Sequence, residues 1–189
     1  MSAMYLPDDA GSALTGLARD VLTNHFDRFH PVTPPGSWAE EPGASFVTLR
    51  RDGDLRGCIG TLIAHQSLAA DVRNNALAAA FEDPRFPPLS VSELAEVEIE
   101  VSILSKPEPM AFSSKDEALA ALRPGVDGVV LHAHSRRATF LPQVWDELGD
   151  PEQFIGHLMR KAGLPADFWD ESVRMERYTV TAFEESGLS

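Results

Sequence analysis

The chain has 189 residues, a formal net charge of −13, a sequence pI near 4.8 and a hydrophobic share of 43%. This length suits one large domain or two small lobes, and the composition is typical of a folded, soluble protein. The acidic balance disfavours binding to phosphate backbones and anionic membranes, so nucleic acid is not expected as a partner. No apolar run approaches the roughly 20 residues needed to cross a bilayer, so no membrane span is expected.

Cys58 is the only cysteine of the chain. A single cysteine excludes an intrachain disulfide and a cysteine cluster for zinc or iron–sulfur within one chain. It favours a reducing, cytoplasmic setting. The opening "MSAMYLPDDA" lacks the basic start and apolar stretch of a secretory signal. No cofactor fingerprint is recognisable, so neither a cofactor nor a metal is expected.

Hydrophobic periodicity predicts the elements of the first half of the chain. An amphipathic helix covers residues 12–29, and the proline-rich loop 30–43 follows it. Two strands then flank Asp52-Gly53, a dipeptide typical of a tight hairpin turn. A helix starts near Ser67 and is stopped by Pro84, and residues 97–104 alternate as a strand does.

The second half is predicted to repeat this order. After a short helix near residues 114–122, strands are expected over 128–134 and 137–144, a helix over 151–164 and a closing strand over 172–185. Residues 46–81 and 128–162 thus share the order strand, turn, strand, helix, which hints at internal duplication. Because no flexible linker separates them, we predict one α+β domain over 1–189, with these segments as the cores of two lobes.

The stretch "LRGCIGTL" surrounds the cysteine with two glycines and an arginine. Strand alternation places Arg56 and Cys58 on one face and turns Leu55 and Ile59 toward the core. A guanidinium on the same face would favour the thiolate form of the cysteine. Two glycines, Gly57 and Gly60, weaken an ordinary strand and indicate a bulge or the close approach of another group.

Two interpretations of Cys58 follow. It is either a small buried hydrophobe, the usual role of a lone cysteine, or a nucleophile with Arg56 as charge stabiliser. The local sequence supplies no base, and the histidines of the chain lie far from it in sequence.

Two carboxylates and two histidines are weaker candidates for functional-site residues. Glu98 and Glu100 share a strand face, and Glu100 would orient Arg56 if the sheet closed and brought them together. His132 and His134 also share a face, either as metal ligands or as solvent-exposed hairpin residues; no third ligand is identified, so no metal site is predicted.

Two further residues have alternative roles. Arg85 either ties a helix end to a loop or binds an anionic substrate. Thr139 either packs in the core or lines a pocket.

The motif "LRGCIGTL" resembles the hallmark of the AMMECR domain family, which is named after a human candidate-region protein. The similarity covers nearly the whole chain and continues through "AAFEDPRFPPLS", "EVEIEVSILSKP", "GVVL", "ATFLPQVW" and "KAGL". The resemblance implies two β-rich, helix-containing repeats that share one mixed or antiparallel, barrel-like sheet. It also implies a site at the hallmark itself, Arg56–Gly60; the second motif Asp83–Arg85 and the third, 139–142, match as well.

For function, the resemblance implies a pathway and not a reaction. Microbial members are encoded beside a Memo-like protein and a radical S-adenosylmethionine enzyme, as component A of the AmmeMemoRadiSam system. One hypothesis is therefore an enzyme that uses the Cys58 thiolate on a small polar or anionic molecule. The predicted catalytic residues are Cys58 and Arg56, and the predicted binding residues are Gly57, Gly60, Thr61, Arg85, Glu100 and Thr139. The alternative is a non-catalytic partner that binds those companion enzymes or delivers substrate to them, so whether the chain is an enzyme stays open.

Overall fold

Four α-helices and nine strands lie within residues 6–185, the part of the chain that the computed structural model describes. The first five residues, part of the opening in which no signal is predicted, lie outside it. The predicted α+β class is confirmed. Within the described range, no helix has the length and apolar character required to cross a membrane.

The chain divides into two compact units: residues up to 104 together with those from 181 onward, and residues 105–180. The elements in chain order are α1 (Ala10–Phe26), a 3-10 helix (Ser37–Glu40), β1 (Pro42–Arg51), β2 (Asp54–Gly60), β3 (Gln66–Ser67), α2 (Leu68–Phe81) and β4 (Val97–Leu104). They continue with β5 (Glu108–Pro109), α3 (Lys115–Ala121), β6 (Gly128–Ala133), β7 (Arg136–Phe140), a 3-10 helix (Pro142–Asp146), α4 (Pro151–Lys161), β8 (Arg174–Tyr178) and β9 (Val180–Glu184).

The sheet of the first unit has the order β2-β1-β4-β9, and β3 pairs with the start of β1. Strand β1 pairs antiparallel with both β2 and β4. The predicted hairpin turn is confirmed, since Asp52 and Gly53 both have positive φ, 53° and 83°. Apolar residues of β1 and β4 such as Val47, Leu49 and Val101 are fully buried in one cluster with residues of α1 and α2, which leaves the opposite sheet face free for polar side chains.

The sheet of the second unit has the order β5-β8-β6-β7. Its core collects residues of β6, β8 and α4, including Leu131, Met175 and Phe154. The Trp145 ring stacks on Phe154 at 3.8 Å between centroids, and its Nε1 donates to the Asp127 carbonyl at 2.7 Å. This partner satisfies the one polar group of a buried indole.

The barrel-like sheet is not confirmed. Both sheets are open within the described residues, with β2 and β9 at the ends of one order and β5 and β7 at the ends of the other. The predicted closing strand is in fact two strands, β8 and β9, in different sheets. The break falls at Thr179, whose backbone exchanges hydrogen bonds with Ser105 and not with a strand neighbour.

Candidate functional site

Strand β2 contains a bulge at Arg56. Gly57 pairs with Leu49 and Leu55 pairs with Arg50, so Arg56 is an extra residue without a partner in the register. A bulge interrupts strict alternation of side chains. The expected core-facing position of Leu55 is therefore wrong: Leu55 is 37% exposed, whereas Arg56 is only 8% exposed.

The two glycines of the motif permit close packing. A Cβ at Gly57 would overlap the carbonyl oxygen of Ala79 on helix α2, and a Cβ at Gly60 would overlap the ring of Phe46. The expected close approach thus occurs, and the approaching groups are parts of the protein itself. Roles for Gly57 and Gly60 in binding a ligand stay predictions.

The Arg56 guanidinium binds the loop between α2 and β4. Nε donates to Glu93 Oε1 and Nη2 to the Pro87 carbonyl, both at 2.9 Å. Nη1 is buried without a hydrogen-bond partner in the described part of the chain. The hydrogen bond from Arg56, with smaller contributions from Ser90, lowers the Glu93 pKa to about 2. These contacts favour a structural role for Arg56 over the predicted stabilisation of charge at Cys58.

The proposed pairing of Arg56 with Glu100 does not occur. Glu100 accepts a hydrogen bond from Ser102 Oγ at 3.1 Å, and no hydrogen bond or ion pair within residues 6–185 joins it to Arg56. The open sheet explains the difference, because the contact required a sheet closed on itself.

Cys58 lies on the sheet face opposite the helices and is half-buried. Its register partner on β1 is Thr48, and the partner of Thr48 on β4 is Glu100, so the three form a row across one face. Thr48 Oγ1 donates to the Cys58 sulfur at 3.3 Å. Beyond Glu100, a cleft of about 290 Å³ is lined by Arg50, Glu98, Ile99, Glu100, Glu184 and Glu185.

The cation beside Cys58 is Arg85. Its Nη2 donates to the Cys58 carbonyl at 3.3 Å, while Asp83 Oδ2 accepts from the Cys58 amide at 2.9 Å. Asp83 and Arg85 are also paired with each other through Nε–Oδ1 and Nη2–Oδ2 at 2.9 and 2.7 Å. The hydrogen bond from Arg85 holds the Asp83 pKa well below its usual range, against the opposing effect of burial. The Arg85 pKa is raised, mainly by Asp83 and to a smaller extent by Cys58.

Arg85 is among the binding residues predicted from the sequence, but Asp83 is predicted only as part of a family motif and Glu93 is not predicted in the site. The signals were present: Asp83 stands in the same motif as Arg85, and Glu93 lies three residues after Ser90, which donates to it through its amide and hydroxyl groups at 2.9 Å. That spacing is a capping-box pattern. It gives no indication that the same carboxylate also binds Arg56, 37 residues away in sequence.

The remaining predicted binding residues have other partners. Thr61 Oγ1 shares hydrogen bonds with the Asn75 amide, and Asn75 in turn donates to the buried carboxylate of Asp71 at 2.9 Å. Thr139 belongs to the second unit and pairs its hydroxyl with Tyr178 at 3.1 Å.

His132 and His134 each pair with a single carboxylate. His132 contacts Glu176, and His134 contacts Asp170, each at 3.1 Å. Across residues 6–185, no three or more His, Cys, Asp or Glu side chains are placed to share a metal ion. Nor does any histidine of that range hydrogen-bond to Cys58.

Comparison with known proteins identifies the family. The AMMECR1 family model matches residues 15–183. The chain belongs to the AMMECR1 family. A protein of Methanothermobacter thermautotrophicus is 37% identical over 188 residues, which covers 96% of this chain and 97% of that protein. Protein MJ0810 of Methanocaldococcus jannaschii is 39% identical over 183 residues, covering 94% and 90%.

A crystal structure shows the same fold. The protein PH0010 of Pyrococcus horikoshii matches with a TM-score of 0.80 at 32% identity, covering 96% of this chain and 94% of that one. In this member of the AMMECR1 family, two motifs that are distant in sequence meet at Cys58: Asp83, 25 residues away, and Arg85 bind its backbone. The resemblance carried by "LRGCIGTL" is thus confirmed as family membership.

Proposed function

We propose that this member of the AMMECR1 family is an enzyme that binds a small polar or anionic molecule at the Cys58 face of β2 and acts on it through the thiol. The observation that carries the proposal is the placement of Arg85 against Cys58. The Arg85 side chain is 54% exposed. Within residues 6–185 no acceptor hydrogen-bonds to its Nη1, so one edge of the guanidinium is free to bind an anion.

The surroundings of the sulfur suit a nucleophile. Thr48 Oγ1 donates a hydrogen bond to the sulfur, and the Arg85 guanidinium binds the carbonyl of the same residue. Hydrogen-bond donors and cations of this kind surround reactive cysteines in proteins. The cleft beyond Glu100 is lined by four glutamates, which would repel an anion, so we place the ligand at the exposed edge of Arg85 and not in that cleft. Arg85 would stabilise negative charge on that ligand, the role that the sequence assigned to Arg56.

The rate of Cys58 alkylation by iodoacetamide, measured from pH 6 to 10, tests this proposal. Since Cys58 is the only cysteine, Cys58→Ser gives the blank. We expect Arg85→Ala to slow alkylation at pH 7 by about threefold to tenfold, the effect of one partly screened charge. The matched control is Arg73→Ala, which removes an exposed arginine of α2 and should leave the rate unchanged.

Inorganic phosphate is the probe for anion binding. It should slow alkylation of the wild-type protein and have a smaller effect on Arg85→Ala. A thiol that resists alkylation, or equal profiles for wild type and Arg85→Ala, would contradict the proposed thiol chemistry.

A second candidate function is recognition of a companion protein, Memo-like or radical S-adenosylmethionine enzyme, without catalysis. Two observations favour it. No histidine in the described residues hydrogen-bonds to Cys58, and apolar Leu55, the first residue of the motif, and Ile63, the residue after it, are 37% and 49% exposed. We expect Ile63→Ser to weaken binding of such a protein in a calorimetric titration, and Val126→Ser, a similarly exposed residue of the second unit, to leave it unchanged. If Cys58→Ala abolished binding while Ile63→Ser had no effect, this alternative would be wrong.

A further inference from the structure

We propose that Asp83 is the positioning residue of the Cys58 site: its carboxylate fixes the backbone of the cysteine and holds Arg85 beside the thiol. The inference rests on the proposed thiol chemistry and adds a residue to it. Asp83 itself does not contact the sulfur through any hydrogen bond in the described structure; it acts through the Cys58 amide and through Arg85.

The first argument concerns the edge of the sheet. Strand β2 is the outer strand, and the Cys58 amide and carbonyl both bind groups outside the sheet. In an antiparallel pair, a facing residue would satisfy both groups. Here Asp83 accepts from the amide and Arg85 donates to the carbonyl, so two side chains take the place of a neighbouring strand.

The sequence explains why side chains are used. The segment from Asp83 to Pro88 contains three prolines, at 84, 87 and 88, which have no N–H to donate to a ladder. Its backbone therefore cannot pair with β2 as a regular strand does. The Asp83–Arg85 pair both covers the edge and fixes the position of Cys58 along it.

The second argument concerns Arg85. An arginine side chain that is half-exposed samples many rotamers unless it is held. The Asp83 side chain, only 2% exposed, accepts from the Arg85 amide at 3.1 Å as well as from Nε and Nη2. With the Cys58 amide, four donors converge on one carboxylate, and charged, bidentate hydrogen bonds are the strong ones.

The negative charge of Asp83 and its proposed positioning of Arg85 predict opposite changes in the rate of Cys58 alkylation. Acting through its own negative charge, Asp83 would disfavour the thiolate, and its removal would speed alkylation at pH 7. Acting by holding Arg85 in place, it favours the thiolate, and its removal slows alkylation. The sign of the change for Asp83→Asn therefore separates the two roles, because asparagine keeps one acceptor but loses the charge and the bidentate pair.

The experiment measures iodoacetamide alkylation against pH on the full chain for wild type, Asp83→Asn, Arg85→Ala and the double variant, with folding checked by circular dichroism. We expect Asp83→Asn to slow alkylation at pH 7 at least about threefold. The double variant should be no slower than Arg85→Ala, because both changes remove the same interaction. Hydrogen exchange of the Cys58 amide should accelerate in Asp83→Asn.

The experiment distinguishes failure of the positioning role from failure of the proposed thiol chemistry. If Arg85→Ala slows alkylation but Asp83→Asn leaves it unchanged or faster, the positioning role is wrong and the thiol chemistry stands. If Arg85→Ala has no effect, the proposed function fails, and with it the positioning role, even where the Cys58 amide exchanges faster. Should Asp83→Asn not fold, Arg85→Lys replaces it: lysine keeps the charge but not the bidentate pair, so we expect slow alkylation, and a wild-type rate would overturn the proposal.

Discussion

Gly57 of β2 lies against the backbone of helix α2. The Cβ of any other residue would overlap the Ala79 carbonyl, which belongs to the helix backbone and cannot rotate away. The bulge at Arg56 precedes this contact directly. The glycine therefore lets the strand lie against the helix while the next residue, Cys58, stays on the opposite face.

We expect Gly57→Ala to destabilise the fold by about 1–3 kcal/mol, the usual cost of forcing an atom into a packed interior. The measurement is the free energy of unfolding in urea. Gly16→Ala is the matched control: Gly16 lies within helix α1 with no atom within 4 Å of the added Cβ, so alanine should stabilise the protein by about 0.5–1 kcal/mol. Equal effects of the two substitutions would contradict the close approach at Gly57.

At the scale of elements, the Arg56–Glu93 ion pair joins the bulge of β2 to the loop before β4. Both partners are largely buried, with side-chain exposures of 10% and 19%. Breaking such a pair by removing one partner leaves a charge in a poorly solvated place. The pair thus stabilises the loop against the strand, and the same loop also supplies Asp83, which binds the Cys58 amide.

The lowered pKa of Glu93 predicts that the stability of the fold depends on pH. Hydrogen bonds from Arg56 and Ser90 lower its pKa from 4.5 to about 2, so the folded state binds the proton less tightly than the unfolded state. The resulting stabilisation is fully present above about pH 4.5 and is lost as the pH falls toward 2.

We expect the free energy of unfolding of wild type to fall more steeply across this pH window than that of Glu93→Gln. Asp83, whose pKa is also lowered, contributes to both proteins alike, so the difference between the two curves isolates Glu93. The exposed Glu152→Gln, in the first turn of α4, serves as the charge-matched control. Parallel curves for wild type and Glu93→Gln would show that the ion pair does not stabilise the folded state.

Local signals were sufficient to predict most elements but not the site. The hairpin at Asp52-Gly53 and the helix capped by Ser67 depend on neighbouring residues, and both occur as expected. The face on which Arg56 lies could not be predicted, because a bulge shifts every residue on one side of it. Its partner Glu93, like the contacts of Asp83 and Arg85 with Cys58, depends on tertiary packing that sequence spacing does not encode.

At the scale of the whole molecule, each unit has its own hydrophobic core. The two clusters of buried residues have no member in common: one contains Leu14, Leu49 and Leu68, and the other contains Phe154 and Met159. Both units also contain two adjacent strands followed by a helix, β1-β2 before α2 and β6-β7 before α4. The duplication inferred from residues 46–81 and 128–162 stays a prediction, which this shared order supports.

Because the two cores are separate, we expect a cavity in the core of one unit to destabilise that unit and not the other. Phe154 is fully buried between Trp145 and Phe140, and truncating such a side chain costs about 3–5 kcal/mol. We expect Phe154→Ala to accelerate amide exchange in β6, β8 and α4 while β1 and β4 keep their wild-type protection under native conditions. Phe29→Ala, at a residue that is 96% exposed, should change neither set. If Phe154→Ala accelerated exchange equally in both sets, the two cores would be unfolding as one cooperative body, and the division of the chain into two units would have no energetic meaning.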